Sequence, residues 1–398
     1  MKAVILCAGE GKRLEPLTLS RPKVMLKVAD KPILEHIIEA LSANGIRELV
    51  IVVGYKKEKI MSYFDDGKKW NVKIEYANQE KQLGTAHALL QAKEFLKNEN
   101  KFLVVPGDNL IDAKSIESLI KEKAPALIFT RSDRAGKYGV VQVKEKKIIR
   151  IIEKPKEIIT DTISTGIYSF FQKIFDSIEK AEYTDEMGLT NAIQFYIEHG
   201  GKINAIETKG YWGDAVYPWD LLRLNSFALR DISLSKGGRI ESGVRIMGEV
   251  YIGESSLIQS GAYISGPVYI GKNSIIGPYS CIFPPTTIGD NIRIGPYTEI
   301  RGSMLLGNIS IGSHSTIVNT IVDNGATIGS RFVSQSGSAN LEYEEKIEKF
   351  ENIGVVIGED SNIGNCVVLD SGVIIGRNAR IGPLKNVYKN VENDAIIM

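Results

Sequence analysis

The chain has 398 residues, and its 49 Lys+Arg against 48 Asp+Glu leave a formal charge of +1. A hydrophobic fraction of 43% and a charged fraction of 24% exclude disordered, collagen-like and coiled-coil chains. The balanced charge also argues against a nucleic-acid-binding protein. This length predicts two or three domains, each with its own core. Glycine stands out, with 38 residues against 13 prolines.

The cysteines and the apolar runs indicate the compartment. Cys7, Cys281 and Cys366 lie far apart without a CxxC pair, so neither a disulfide framework nor a structural zinc site is expected. The apolar run at residues 3–6 is far shorter than a membrane span, and no later run reaches 18 residues. We therefore expect a cytoplasmic protein with no membrane partner.

Short apolar runs alternate with amphipathic stretches over residues 1–230. Strands are predicted at 3–6, 49–53, 72–76 and 102–105, and helices at 33–41, 56–64 and 86–96. Such βαβ units predict an α/β, Rossmann-like domain with a mostly parallel sheet and a ligand site at the carboxyl ends of its strands. A further helix over 218–230 is expected to connect this domain to the next.

After residue 236 the helical period disappears, and an Ile-Gly pair recurs at intervals that are mostly six residues or near-multiples of six. The eleven pairs begin at Ile252, Ile270, Ile276, Ile288, Ile294, Ile311, Ile328, Ile357, Ile363, Ile375 and Ile381. This spacing predicts a hexapeptide-repeat parallel β-helix over 231–398, with buried isoleucines and with Gly, Asn and Asp at positive-φ corners. Residues 334–352 break the period and are expected to form a projecting loop.

A glycine-rich segment, GEGKRL at residues 9–14, follows the first predicted strand. Small residues let backbone N–H groups approach phosphates, and Arg13, Arg21 and Lys23 would neutralise a triphosphate. A Gly-x-Gly turn alone is a weak signal that also opens dinucleotide-binding folds, and the segment could equally be a solvated basic loop.

Two aspartates follow predicted strand or turn segments. Asp108 ends the apolar run at 102–107, and Asp214 follows an exposed-looking turn at 210–213. Two carboxylates from separate strand ends suit Mg²⁺, which takes few protein ligands and keeps other positions for substrate and water. Either residue alone could be a turn former.

Several segments together resemble the sugar-1-phosphate nucleotidylyltransferases. They are LCAGEGKRL at 6–14, RPK at 21–23, GD at 107–108, EKP at 153–155, TGIY at 165–168 and GYWGD at 210–214. With the C-terminal repeats, the chain resembles the archaeal branch of the bifunctional N-acetylglucosamine-1-phosphate uridylyltransferase / glucosamine-1-phosphate N-acetyltransferase family, whose β-helix is left-handed. The segment QEKQLGTAHA at 79–88 resembles that family's uracil-recognition motif.

The resemblance implies roles for individual residues in an Mg²⁺-dependent uridylyl transfer to a sugar 1-phosphate. Nucleotide contacts are implied for Leu6, Ala8, Gly9, Gly11, Gln79, Gln82, Gly84 and Thr85, and catalytic contacts with the triphosphate for Arg13 and Lys23. Sugar-phosphate contacts are implied for Gly139, Glu153, Lys154 and Ser164, and metal binding for Asp108 and Asp214. Ser164 stands where the family has Asn, which weakens the expectation of N-acetylglucosamine specificity. Gln79 and Gln82 could otherwise belong to a polar loop.

The resemblance also implies an acetyl-CoA-dependent acetyltransferase site between subunits of a homotrimer. His314 would be its general base, because a neutral imidazole suits proton abstraction near neutrality. The further candidates are Arg301, Asn340, Lys346 and Lys349. The segment after His314, at 315–320, lacks the family's phosphate-contacting Tyr, so His314 could simply be a corner residue of the β-helix.

Three functions remain open from the sequence. The first is the bifunctional enzyme acting on UTP and N-acetylglucosamine 1-phosphate. The second is a glucose-1-phosphate thymidylyl- or uridylyltransferase, using dTTP or UTP, whose β-helix serves only trimerisation or regulation. The third, a non-catalytic scaffold, is disfavoured because Arg13, Lys23, Asp108, Lys154 and Asp214 are all present.

Overall fold

The computed structural model describes residues 1–183, 186–232, 235–343 and 346–398, without the side chains of Asp231, Lys236 and Lys346. Its contacts form two compact units. The first comprises Met1–Glu10, Arg21–Met25 and Pro32–Asp214, and the second Gly11–Ser20, Leu26–Lys31 and Ala215–Met398. The predicted boundary near residue 230 stays a prediction.

The strands of residues 1–214 and the helices of the chain alternate much as predicted. The strands are β1 (Lys2–Cys7), β2 (Lys27–Val28), β3 (Lys31–Pro32), β4 (Glu48–Val53), β5 (Lys73–Asn78), β6 (Phe102–Pro106), β7 (Asn109–Ile111), β8 (Ala126–Arg131), β9 (Gly139–Lys144), β10 (Lys147–Glu153), β11 (Thr162–Phe170), β12 (Ile203–Glu207) and β13 (Trp212–Asp214). The α-helices are α1 (Ile33–Ala43), α2 (Lys57–Phe64), α3 (Thr85–Gln91), α4 (Ala113–Lys121), α5 (Ile174–Lys180), α6 (Leu189–Glu198) and α7 (Pro218–Ala228). The 3₁₀-helices are Lys12–Leu14, Lys23–Met25, Lys68–Trp70, Lys93–Leu96, Ala135–Lys137 and Leu229–Asp231. The helix predicted over 218–230 is confirmed as α7 and the 3₁₀-helix after it, but it lies within the second unit. The helix predicted over 86–96 divides into α3 and Lys93–Leu96.

The first unit contains a nine-stranded sheet in the order β5-β4-β1-β6-β11-β8-β12-β10-β9. The first four strands are parallel, as predicted. The rest of the sheet is mixed, so the prediction of a mostly parallel sheet holds for this half only. One cause is the β9–β10 hairpin, whose two-residue turn places Glu145 and Lys146 at φ 50° and 59°.

The central strands of this sheet are buried on both faces. Along β1, Ala3, Ile5 and Cys7 join one apolar cluster, while Val4 joins the other. Helices α1, α2 and α4 contribute to the first cluster, and α3, α5 and α6 to the second. Burial on both faces explains why these strands appear in the sequence as continuous apolar runs.

The second unit contains three stacks of parallel strands, in which each strand pairs with the corresponding strand one turn further along the chain. The first stack consists of Ser235–Lys236, Val250–Ile252, Val268–Ile270, Thr286–Asp290, Met304–Gly307, Ile321–Val322, Val356–Ile357 and Ile374–Ile375. The second consists of Arg239–Ile240, Leu257–Ile258, Ile275–Ile276, Arg293–Ile294, Ser310–Ile311, Thr327–Ile328, Asn362–Ile363, Arg380–Ile381 and Ile396–Ile397. The third consists of Arg245–Met247, Tyr263–Ser265, Cys281–Phe283, Glu299–Arg301, Thr316–Val318, Val333–Ser334, Val368–Leu369 and Asn386–Val387. These stacks are consistent with a β-helix.

The isoleucines of the eleven Ile-Gly pairs are all buried in one core, as predicted. Their glycines do not occupy the positive-φ corners. Other glycines of the second unit do, as predicted, at Gly243, Gly248, Gly261, Gly302, Gly325 and Gly372. The glycines of the pairs have another cause. Most are glycine because the next coil passes too close for a side chain. A Cβ at Gly289 would lie 2.2 Å from Leu306 O, and one at Gly312 would lie 2.4 Å from Ser330 N.

The positive-φ corners form columns along the second unit. Asn273, Asn291 and Asn308 occupy one column and donate side-chain hydrogen bonds from coil to coil, at 3.3 and 3.2 Å. This confirms the prediction for Asn. A second column was not foreseen, because it carries Tyr279 and Tyr297 at φ 57° and 55°.

Ser334 stays in the third stack, whereas the described residues from Gly337 to Asn352 leave the coil, as predicted, but do not form an irregular loop. Gly337–Tyr343 pairs with Lys346–Ile353 as an antiparallel hairpin. Alternating burial along Gly337–Tyr343 shows a two-residue period that the search for six-residue repeats overlooked. No helix in the described parts of the chain is long and apolar enough to span a membrane.

Candidate active site

The two candidate metal carboxylates are brought together by a short ladder. Strand β13 pairs with β7 in a register that places Asp214 opposite Asn109, and Asp108 directly precedes Asn109. Asp214 is 8% exposed at the end of a strand, so the prediction that it follows an exposed turn is wrong. Pairing with β7 draws the 212–214 segment into the first unit.

Lys23 lies beside these carboxylates. Its Nζ forms an ion pair with Asp108 Oδ2, and both side chains are about one-fifth to one-quarter exposed. The 3₁₀-helix Lys23–Met25 positions the lysine. The structure thus joins two residues that the sequence assigned to triphosphate binding and metal binding.

The thiol of Cys7 lies against Gly107, the residue before Asp108. Gly107 approaches Cys7 so closely that a Cβ at Gly107 would lie 2.4 Å from Cys7 Sγ. Burial, with the negative charge of Asp108, raises the pKa of Cys7 well above its ordinary value. Cys7 is therefore a protonated packing residue rather than a nucleophile.

Tyr138 and Asn109 are functional candidates that the sequence reasoning missed. Tyr138 donates its hydroxyl to Asp214 Oδ1 at 2.9 Å, and its ring packs edge-on against Trp212. Asn109 is 2% exposed, and its Nδ2 donates to the backbone oxygen of Thr165 at 2.8 Å. A signal was present in both cases, because each polar residue adjoins a predicted site residue.

The predicted sugar-site residue Ser164 is buried and engaged in internal hydrogen bonds. Its hydroxyl accepts from Gly166 N at 3.1 Å and lies 3.1 Å from the Tyr168 hydroxyl. Burial raises the pKa of Tyr168 well above its ordinary value, so that phenol stays protonated. The hydroxyl of Ser164 therefore shapes the turn at Gly166, which has a φ of 77°.

The other sugar-site candidates lie at the β9–β10 edge. Gly139 pairs with Glu153, and a Cβ at Gly139 would meet Thr190 at 2.9 Å and Glu153 Oε2 at 3.3 Å. Lys154 is exposed, with a φ of 39° and its backbone N–H bonded to Tyr138 O. Tyr138 thus links this edge, through its backbone oxygen, to Asp214, through its hydroxyl.

The predicted base-recognition loop is fixed before any ligand binds. Gln79 is 3% exposed, and its Nε2 donates to Gly84 O at 3.2 Å and lies 2.9 Å from His87 Nδ1. Gly84 has a φ of 114° and packs against Met187, while Thr85 Oγ1 accepts from Leu189 N at 2.9 Å. This loop runs into the first turn of α3.

The loop after β1 comes close to the base-recognition loop. Gln82 Nε2 lies 3.4 Å from Ala8 O, and Leu6 O accepts from Gly107 N at 2.9 Å. Gly9 is exposed, with no atom within 4 Å of an ideal Cβ, so neither packing nor backbone strain in the chain requires a glycine there. Space beside this backbone is what a bound phosphate or base would need.

The segment that carries Arg13 belongs to the second unit. Gly11 has a φ of 73°, and its oxygen accepts from Leu14 N and Thr18 Oγ1, both at 3.0 Å. Arg13 lies in the 3₁₀-helix that follows, with its guanidinium 5.8 Å from the centroid of the Tyr217 ring. The guanidinium is thus within cation–π range of an aromatic face.

His314 occupies the corner between the second and third stacks. It is exposed, has a φ of 56°, and its ring stacks on Tyr297 with centroids 5.0 Å apart. Tyr297 in turn stacks on Tyr279 at 5.3 Å. The imidazole is thus the third ring of an exposed column along successive coils.

The other acetyl-site candidates lie elsewhere on the second unit. Arg301 pairs with Glu299 at 2.6 Å and lies 4.9 Å over the Phe283 ring. Asn340 pairs across the hairpin with Lys349, which forms an ion pair with Glu351 at 2.9 Å. The side chain of Lys346 lies outside the described residues. The hairpin leaves the coil between the third and first stacks, so it adjoins a different corner from His314.

The donor set fits Mg²⁺ better than a softer metal. Asp214, on the β7–β13 ladder, and Asp108, directly before it, supply hard carboxylate oxygens. Within the described ranges, no group of three or more His, Cys, Asp or Glu side chains is placed to hold a metal ion. A two-carboxylate site that leaves positions for substrate oxygens agrees with both observations.

Two protein-family models match the chain. One, described as nucleotidyl transferase, matches residues 2–230. The other, described as the GMPPB C-terminal domain, matches residues 264–397. Together they cover both kinds of architecture described above.

Individual relatives extend this match to the full chain. A Methanococcus maripaludis (strain C7) protein named bifunctional protein GlmU is 43% identical over 412 residues, covering 100% of this chain and 97% of the relative. A Haloferax volcanii protein named UTP--glucose-1-phosphate uridylyltransferase AglF is 37% identical over 230 residues, covering 55% of this chain and 93% of the relative. A solved Bacillus anthracis structure, described as a glucose-1-phosphate thymidylyltransferase in complex with sucrose, matches with a TM-score of 0.54 and 30% identity, covering 59% of this chain and 98% of that one.

Proposed function

Because this chain belongs to the nucleotidyl transferase family, as a full-length relative of the archaeal bifunctional GlmU proteins, and is a sugar-1-phosphate nucleotidyltransferase, we propose that it makes UDP-N-acetylglucosamine. UTP and N-acetylglucosamine 1-phosphate are the substrates, and pyrophosphate is released. The observation that carries the proposal is the 43% identity to a protein named bifunctional GlmU over the whole chain.

The base-recognition loop binds the uracil. Gln79, Gly84 and Thr85 contact the base edge, with Gln82 beside them, because an amide and backbone groups can both donate and accept. The bonds of Gln79 to Gly84 and of Thr85 to Leu189 support this role, since they fix the loop in advance. Less conformational entropy is then lost on binding.

The reaction itself needs no covalent nucleophile. A phosphate oxygen of the sugar 1-phosphate attacks the α-phosphorus of UTP in line, a P–O bond forms, and the bond to pyrophosphate breaks. Arg13 and Lys23 bind the triphosphate, and the backbone at Gly9 and Gly11, with Leu6 and Ala8 before it, approaches the nucleotide. Catalysis is then positioning and charge neutralisation.

Asp108 and Asp214 would hold Mg²⁺. Bound there, the ion would supply neutralisation of phosphate charge and orientation of the phosphate oxygens. The chain's own part is to place the carboxylates. Tyr138 restrains Asp214 through one hydrogen bond, and Asn109 ties the ladder to the 164–166 turn.

The sugar phosphate binds at the β9–β10 edge and the adjacent turn. Gly139, Glu153 and Lys154 contact it, and a side chain at Gly139 would displace Thr190 and Glu153. Ser164 acts indirectly, because its hydroxyl holds Gly166.

A substrate panel tests this proposal. Pyrophosphate release is measured with UTP and dTTP against N-acetylglucosamine, glucosamine and glucose 1-phosphates. UTP with N-acetylglucosamine 1-phosphate is expected to give the highest kcat/KM. A preference for glucose 1-phosphate with either nucleotide would contradict the proposal.

We further propose that the second unit N-acetylates glucosamine 1-phosphate with acetyl-CoA. His314 is the general base, and Arg301, Asn340, Lys346 and Lys349 contact the substrates. The name of the bifunctional relative supports this activity. Since His314 and the hairpin adjoin different corners, the site would be completed by another copy in a homotrimer, which light scattering would detect.

A second candidate function is supported by specific observations. The family model that matches residues 264–397 is described as the GMPPB C-terminal domain. The Haloferax relative is named as a glucose-1-phosphate uridylyltransferase. The hydroxyl of Ser164 and the aromatic column of His314 also have structural roles here. On this reading the chain is a glucose-1-phosphate uridylyl- or thymidylyltransferase, and its strand stacks serve trimerisation.

The finer description of the fold belongs to the same proposal. Residues 1–230 form the nucleotidyltransferase domain, and 231–398 form a left-handed hexapeptide-repeat β-helix. The enzyme acts in the cytoplasm.

A further inference from the structure

An aromatic cluster in the second unit joins the Arg13 segment to the hairpin. Its members are Tyr217, directly before α7, and Tyr343 and Phe350, one from each hairpin strand. The Tyr217 ring lies 4.6 Å from Tyr343 and 5.2 Å from Phe350 between centroids, and Tyr343 and Phe350 are 6.0 Å apart. Each ring therefore contacts the other two.

Tyr217 is held from its backbone as well as its ring. It is 5% exposed, and Asp220 Oδ2 accepts from Tyr217 N at 2.8 Å and from Val216 N at 3.0 Å. Phe350 is 3% exposed. Edge-on and tilted aromatic contacts of this kind stabilise one ring orientation.

Arg13 lies over this fixed ring. The 5.8 Å separation between its guanidinium and the Tyr217 centroid is within cation–π range. A long arginine side chain loses much rotamer entropy when it binds a phosphate. An arginine that already lies over a ring has lost part of that entropy before the phosphate binds. The ring face thus restricts where the guanidinium can be.

We propose that Tyr217 is a positioning residue for Arg13, and that the hairpin is what holds Tyr217 in place. The inference rests on the proposed role of Arg13 at the triphosphate. It assigns the C-terminal hairpin a part in nucleotidyl transfer, in addition to any part in acetyl transfer. Tyr217 does not touch the substrate.

A double-mutant cycle tests the coupling. The measurement is kcat/KM for UTP, from pyrophosphate release, in the full-length enzyme. Arg13→Gln is expected to lower it at least about tenfold, as loss of a phosphate-binding charge should. Tyr217→Leu is expected to lower it about two- to thirtyfold, the range of a cation–π contact. In the Arg13→Gln background, Tyr217→Leu should have less than about a twofold effect.

Conservative and matched variants separate positioning from a general loss of structure. Tyr217→Phe keeps the aromatic ring and should retain near-normal kcat/KM. Tyr343→Ala should also lower kcat/KM, as Tyr217→Leu does. Ile347→Ala changes a residue of the same hairpin that is 77% exposed and should change nothing. Thermal melting of each variant checks folding.

The outcomes distinguish the inference from the function it rests on. If Tyr217→Leu lowers kcat/KM equally in both backgrounds, or if Tyr343→Ala matches Ile347→Ala, the positioning role is overturned while Arg13 keeps its assignment. If Arg13→Gln has no effect, the assignment of Arg13 to the triphosphate is wrong, and the inference falls with it.

Discussion

Around the metal carboxylates, single hydrogen bonds between distant parts of the chain set the geometry. Tyr138 reaches Asp214 across 76 residues, and Asn109 reaches Thr165 across 56. Asn109 and Thr165 are both buried, so neither can exchange the bond for one with water. An unpaired buried carbonyl is costly, which makes this amide a restraint between the ladder and the 164–166 turn.

Replacing Asn109 with leucine tests that restraint. Leucine keeps the approximate volume but leaves the Thr165 oxygen without its donor, at a cost of about 1–3 kcal/mol of stability. We expect a lower melting temperature and a reduced kcat, because Asp108 and Asp214 lose their common support. Asn98→Leu, at an exposed position, is the control. Unchanged kcat in Asn109→Leu would show that the β7–β13 ladder keeps its position without the hydrogen bond from Asn109 to Thr165.

The reactivity of Cys7 follows from its raised pKa. Only a thiolate is alkylated readily, and burial beside Asp108 keeps Cys7 protonated at pH 8. Cys281 and Cys366 are partly exposed. Mass spectrometry after iodoacetamide treatment of the native protein should show two modifications at most, rising to three in urea. As the pH is raised, Cys7 should be the last of the three cysteines to be alkylated. Rapid alkylation of Cys7 at pH 8 would contradict its assignment as a protonated packing residue.

At the residue scale, the sequence allowed prediction of groups that follow a strand and carry a charge. Asp108 was predicted in this way and Asp214 from the turn before it, and the structure places Asp214 on the β7–β13 ladder with Asp108 directly before that ladder. Tyr138 and Asn109 were not, because their partners are set by tertiary contacts across 56 to 76 residues. No local pattern records such a pairing.

At the scale of elements, the glycines of the strand stacks set the distance between coils. A Cβ at Gly289 would lie 2.2 Å from Leu306 O, a backbone atom that cannot move without its whole coil. The repeat in the sequence therefore reflects two constraints, a buried isoleucine and a close backbone approach. The first was predicted from periodicity, whereas the second needs coordinates.

Gly289→Ala should accordingly destabilise the second unit. Overpacking against backbone costs about 1–3 kcal/mol, and a melting transition of the whole chain should move down by at least about 2 °C. Gly337→Ala is the matched control, because its nearest neighbour is the Ser371 hydroxyl at 3.4 Å. Equal melting temperatures for the two variants would mean that the coils can separate freely.

Two elements show why patterns of one period hide another. The β9–β10 hairpin and the Gly337–Tyr343 hairpin both have antiparallel partners nearby in sequence. In a chain dominated by βαβ units and six-residue repeats, a short alternation of polar and apolar residues is weak evidence for an antiparallel strand. Strand existence was predictable for β1, β4, β5 and β6, but the direction of later strands was not.

At the scale of the whole molecule, the proposed metal carboxylates and the proposed acetyl-transfer base lie in different compact units. Asp108, Asp214 and Lys23 belong to the first unit, while His314 belongs to the second. Substitution of Asp108 or of His314 should therefore leave the other chemistry intact, because each of these residues lies in a unit with its own core.

A pair of variants tests this separation. Asp108→Asn should lower pyrophosphate release at least about a hundredfold and leave the release of CoA from acetyl-CoA with glucosamine 1-phosphate unchanged. His314→Ala should do the reverse, and Tyr279→Leu, which removes a ring from the same column, should retain CoA release. Asp133→Asn, at an exposed position, controls for loss of charge. If the unsubstituted enzyme releases no CoA, the second unit is not an acetyltransferase.

The parallel stacks also determine how the second unit would come apart. Among the described strands of the stacks, each pairs with the strand one coil before it and the strand one coil after it, so the stability of the stacks is mainly a sum of nearest-neighbour terms along one axis. The terminal strand Ile396–Ile397 has a neighbour on one side only. Hydrogen exchange should therefore proceed as a front from that end, slowing coil by coil toward the interior.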